Sequence, residues 1–149
     1  MGHTGYLLTV HYMITITGRV WRKGSGDFKK RMISFPEEFL RATGEKLFPG
    51  TLNVEIDKPL AVKEHFRMRD VQDPEQDLLF EICRVDRVWA YRIRPFNRET
   101  GAGGHGDHIL EITSSQEIPN AHEGSPIKIS FFRDVEERDR LVEQALVQR

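Results

Sequence analysis

Short runs with a side-chain period of two dominate this chain, and they constrain its fold more than any other feature. Met13-Ile14-Thr15-Ile16-Thr17-Gly18-Arg19-Val20 sets Ile14, Ile16 and Val20 on one face of a strand. Leu52, Val54 and Ile56 alternate with Thr51, Asn53 and Glu55 in the same way, after a turn at Pro49-Gly50. Leu78–Val85 and residues 88–94 read as two further strands joined by a tight turn at Asp86-Arg87. Ile109–Thr113 and residues 127–132 follow, and residues 30–34 add a short strand after the first. Helical patterns do not alternate regularly with these runs, which argues against a doubly wound parallel sheet.

Two helices are expected. Ser34-Phe35-Pro36-Glu37 is a start signal, with Ser34 as cap, Pro36 in the first turn and Glu37 reaching back. Phe39 and Leu40 supply its buried face and Gly44 its stop. A C-terminal helix begins at Asp134 and carries the stripe Val135, Leu141, Val142, Ala145 and Leu146. Residues 58–77 and 96–107 read as loops, the second rich in glycine. The expected fold is mainly β. It is a compact barrel of six or seven strands, with a short helix after the second strand and a C-terminal helix packed outside. With 149 residues and no linker or repeat, residues 1–149 read as one domain.

Composition narrows the function. Lys plus Arg is 22 and Asp plus Glu is 23, a net charge of −1 that argues against a chain-wide grip on nucleic acid or anionic membrane. A single cysteine, Cys83, excludes an intrachain disulfide and a multi-cysteine zinc site, and its apolar surroundings predict a buried thiol. No stretch approaches the roughly 20 apolar residues of a spanning helix. The apolar run at residues 6–16 is broken by His11 and reads as strand rather than signal peptide, so a reducing cytoplasm is the expected compartment.

Three segments carry candidate chemistry. In Arg22-Lys23-Gly24-Ser25-Gly26-Asp27 the glycines let backbone approach an anion and the two cations can neutralise it, although Gly-x-Gly between strands also serves as a plain turn. Thr51 and Asn53 point to one side of a strand, where a hydroxyl and an amide oxygen can face a hard cation such as Mg²⁺ or simply solvent. His105-Gly106-Asp107-His108 with Glu111 has residue types that bind transition metals, but on a glycine-rich loop a substrate-facing or solvated role is the stronger reading.

Taken in order, Gly18-x-Val20, the Gly24-x-Gly26 loop, the short helix and Phe48-Pro49-Gly50-Thr51-Leu52-Asn53-Val54 resemble the archaeal CTP-dependent riboflavin kinase family. Ile93-Arg94-Pro95 is similar to the segment before that family's flavin-contacting loop, and Ile109-Leu110-Glu111-Ile112 to the stretch after it. Gly124-Ser125-Pro126-Ile127 stands at the family's turn into the last strand. The resemblance covers roughly residues 14–132. It implies a six-stranded cradle-loop barrel that moves the γ-phosphate of CTP to the 5′-hydroxyl of riboflavin, giving FMN and CDP. It implies Thr51 and Asn53 as Mg²⁺ ligands, and Glu111 as the acidic residue that orients or deprotonates the attacking hydroxyl. The segment from Arg22 to Gly26 would take the nucleotide phosphates. Arg94, Thr100, His105 and His108 would lie toward the flavin. The contrasting expectation is a non-catalytic barrel that binds a nucleotide or flavin. The two differ in whether Thr51, Asn53 and Glu111 line one pocket, and in whether Phe28 blocks it.

Overall fold

The computed structural model describes residues 13–21, 27–70, 72–96, 106–119 and 121–133. Its strands are β1 Met13–Val20, β2 Leu52–Glu55, β3 Phe66–Met68, β4 Leu78–Val85, β5 Val88–Pro95, β6 Ile109–Thr113 and β7 Pro126–Phe132. Helices α1 Asp27–Ser34 and α2 Pro36–Thr43 lie between β1 and β2. All pairings are antiparallel, in the order β3-β4-β5-β6-β2-β1-β7, and β7 also pairs with β4. Six strands therefore close into a barrel and β3 stands outside the closure. One edge of β4 is shared: β3 takes residues 78–80 and β7 takes residues 83–85.

Alternation sorts the side chains into two cores. Val54, Cys83, Val85, Leu110, Ile112 and Ile129 fill the barrel. Phe28, Met32, Phe39, Met68, Phe80 and Ile93 form a second cluster where the helices and β3 cover the outer face of β4 and β5. Strand β4 is buried on both faces, which is why its sequence runs apolar with little alternation. Cys83 is fully buried, as its apolar surroundings predict. Gly18 marks the tightest strand contact. A Cβ there would stand 2.6 Å from Val54 Cγ1 and 2.7 Å from the Glu55 carbonyl oxygen, so β1 and β2 meet this closely only without a side chain.

Several expectations change. Residues 30–34 are helical, because Phe28 and Met32 stand one helical turn apart and both enter the outer core. Ser34 ends α1 instead of capping α2. The Phe35 amide still bonds to the Arg31 carbonyl, and Phe35 is the residue before the second helix. Gly44 closes α2 in the left-handed region, as expected, while Leu40 is exposed and Phe39 alone is buried there. Residues 58–77 hold strand β3 and a 3-10 turn, Pro74–Gln76, whose start Asp73 caps by accepting from the Glu75 amide. The expected C-terminal helix and most of the run at residues 6–16 lie outside the described residues. No helix among the described residues is long and apolar enough to cross a membrane.

Candidate functional site

The turn at Pro49-Gly50 delivers the site. Gly50 has φ +113°, a conformation that side chains rarely adopt, and the chain leaves it directly into Thr51 and β2. Strand β2 then runs against β6 with Leu52 opposite Ile112, Asn53 opposite Glu111 and Val54 opposite Leu110. Leu52, Val54, Leu110 and Ile112 turn toward the barrel core. Asn53 and Glu111 are therefore neighbours on the outer face, where directly opposed side chains have Cβ atoms roughly 5 Å apart. The Asn53 carbonyl accepts from the Trp21 amide at 2.8 Å, which ties β2 to the end of β1.

These residues border a cavity of about 910 Å³. That volume lies within the usual range for sites that take small organic ligands. Thr51, Asn53, Glu111 and Thr113 supply oxygens to its wall. Trp21 and Phe48 contribute aromatic surface, and Ile118 and Ala121 apolar surface continuous with the barrel core. Phe28 lines the wall while packed into the outer core, 6% exposed. The charged groups on the described wall are Lys29, Glu111, Glu117 and Glu123, an acidic balance.

Two buried oxygens on this wall have no hydrogen-bond partner among the described residues: Asn53 Oδ1 and Thr113 Oγ1. Their residues are 4% and 2% exposed. A buried acceptor left unpaired costs about 1–3 kcal/mol, so such atoms call for a ligand or water. An all-oxygen set of hydroxyl, amide and carboxylate suits a hard cation that keeps several waters. It does not suit a transition-metal cage, and no group of three or more His, Cys, Asp or Glu converges among the described residues.

Of the residues singled out from sequence, the cavity brings together Thr51, Asn53 and Glu111. Residues 22–26, Thr100 and His105 lie outside the described residues, although Trp21 and Phe28, on either side of 22–26, both line the cavity. Arg94 and His108 are not on its wall. Arg94 Nε sits 2.9 Å from Asp107 Oδ1. Arg92 lies on the barrel-facing side of β5, opposite Ile112, and pairs with both Asp107 and Glu81 at 3.8 Å. The Lys63 amide donates to Glu81 at 3.1 Å. Burial pushes the Glu81 carboxyl up to about 7, against the opposing pull of the Lys63 amide and Arg92. His108 is exposed, and its carbonyl accepts from the Ile56 amide at 2.8 Å.

Sequence reasoning missed Thr113 and Lys29. Thr113 follows Glu111 by two on a strand, so alternation alone puts it on the same face. Lys29 is one residue past Phe28 on α1, a segment whose residues 30–34 read as a strand from sequence. Compared with known proteins, the chain matches no protein-family model and no curated protein.

Proposed function

We propose that this chain is a divergent phosphotransferase of the CTP-dependent riboflavin kinase type, built on a cradle-loop barrel. One observation carries the reading: Thr51, Asn53 and Glu111 line a single cavity, Asn53 and Glu111 directly across β2 and β6, with the Asn53 amide oxygen buried and without a partner among the described residues. The acidic balance of the described wall supports it, since a cation between Glu111, Glu117, Glu123 and a triphosphate would offset their repulsion. Thr51 and Asn53 would hold Mg²⁺, which when bound supplies charge neutralisation for the β- and γ-phosphates.

The remaining work falls to the chain itself. Glu111 orients the riboflavin 5′-hydroxyl and takes its proton as the oxygen attacks the γ-phosphorus. The bond from that phosphorus to the β–γ bridging oxygen breaks, and the electron pair leaves with CDP. Lys29 lends positive charge to the transferring group, and Trp21 and Phe48 offer ring surface to a flat heterocycle. Phosphoryl transfer is mostly positioning and electrostatics, so this sparse equipment suffices.

The test is to incubate the full chain with riboflavin, Mg²⁺ and CTP, ATP, GTP or UTP, and to separate FMN by chromatography. FMN formed with CTP and abolished by EDTA is the expected result. No FMN with any nucleotide would overturn the kinase reading and leave a barrel that only binds.

A further inference from the structure

Of Thr51, Asn53, Glu111 and Thr113, whose oxygens face one cavity, the first two have been given metal-binding work above and Glu111 the handling of a hydroxyl. Thr113 has none. It sits two residues beyond Glu111 on the same face, and opposite Tyr91 of β5. The β2–β6 register sets Leu52 opposite Ile112; carried one residue further, it sets Thr51 opposite Thr113. Thr51, Asn53, Glu111 and Thr113 thus form a square, two residues on each strand, on the wall of one cavity. The two members whose buried oxygens have no partner among the described residues, Asn53 and Thr113, occupy diagonal corners.

That diagonal is informative. A bare cation bonded only to Thr51 and Asn53 would satisfy one corner and leave the Thr113 hydroxyl stranded. A hydrated cation would satisfy both, because its bound waters are strong donors and reach one shell further than the ion. From this we infer that Thr113 binds the water shell of the divalent cation, accepting a hydrogen bond from a metal-bound water, and so enlarges the cation site from two residues to a four-oxygen square. The inference rests on the proposed function, since it concerns the same cation. It also gives the Thr113 hydroxyl a partner that a valine of the same shape would not need.

The experiment compares wild type, Thr113→Val, Thr113→Ser and Asn53→Ala as full-length chains. Mn²⁺ affinity is read by electron paramagnetic resonance with and without CTP, and thermal stability without metal. Loss of one such hydrogen bond predicts about fivefold weaker Mn²⁺ binding in Thr113→Val. Thr113→Ser, which keeps the hydroxyl, stays near wild type. Without metal, Thr113→Val melts no lower than wild type, because it removes an unsatisfied buried hydroxyl and preserves the shape. That opposition of affinity and stability separates a ligand role from a structural one. If Thr113→Val binds Mn²⁺ as wild type does while Asn53→Ala loses it, the inference falls and the proposed function stands. If Thr113→Val melts well below wild type and Thr113→Ser does not, the hydroxyl is structural and the inference falls. If wild type binds no Mn²⁺ even with CTP, both fall.

Discussion

Inside the barrel, Glu81 and Asp107 face Arg92 and Arg94, all drawn from β4, β5 and the residues just before β6. On the outer face of β2 and β6, Asn53 and Thr113 carry buried oxygens that no described residue meets. Both regions are polar groups removed from water, yet they are resolved differently. The inner group matches charge with charge: each carboxylate has a guanidinium nearby and Glu81 takes the Lys63 amide as well, although Arg92 Nη1 and Nη2, at 3.8 Å from their carboxylates, make no hydrogen bond among the described residues. The outer group borders a cavity and stays open to it. Opposite charges paired inside the protein serve the fold, whereas polarity unmatched among the described residues beside a void is where the proposed function places a ligand.

The largest effect that would sharpen this contrast is on the inner side. Arg92→Leu leaves Glu81 and Asp107 short of a cation in the barrel, and urea unfolding should register a loss of about 3–5 kcal/mol. A loss under ~1 kcal/mol would mean that Arg92 does not compensate the buried carboxylates. The next effect is on pH. The Glu81 carboxyl titrates near 7 when folded and near the ordinary 4.5 when unfolded, so the folded chain holds its proton longer. Its contribution is fully present below about 4.5 and is lost as pH rises through 7, by an amount on the order of 3 kcal/mol. The difference in stability between wild type and Glu81→Gln should follow that curve; a flat difference from pH 4 to 8 would place the carboxyl at its ordinary value.

On the outer side the readout moves from stability to turnover. Asn53→Ala and Thr51→Ala should each lower Mg²⁺-dependent FMN formation by about 10–100-fold, the range seen for groups that hold or orient a metal. Each should still unfold cooperatively near the wild-type midpoint. Collapse of both variants would move these residues to the structural side of the comparison. The smallest expected effect is at His108, exposed and off the cavity wall. His108→Ala should change stability by less than ~0.5 kcal/mol and leave turnover unchanged, and a clear loss of turnover would return this residue to the flavin side.

The barrel strands were legible because period two is a direct image of the pleat, and Asp86-Arg87 and Pro49-Gly50 punctuate it. Helix α1 was not legible: its apolar pair, Phe28 and Met32, stands among lysines and an arginine, and the outer core that requires them is formed by distant strands. Strand β3 is three residues long and exists only because β4 offers half an edge. In the candidate site, alternation revealed that Thr51 and Asn53 share a face, and the family resemblance supplied Glu111. What one sequence cannot carry is which residue lies opposite which. The pairing of Asn53 with Glu111 joins residues 58 positions apart. Arg94 was read toward the flavin, yet it shares strand parity with Arg92, which faces inward.

The barrel's seam has a consequence for how the chain is made. Strand β1 pairs with β7 over seven residue positions, from Met13 opposite Phe132 to Arg19 opposite Pro126. The Thr15 and Ser130 hydroxyls that meet across it are 115 residues apart. On the ribosome, β1 is therefore synthesised long before the strand that covers one of its edges. Until β7 is made, that edge of β1 has no strand to pair with, so closure of the barrel waits on β7 and this non-local pairing makes it a slow step.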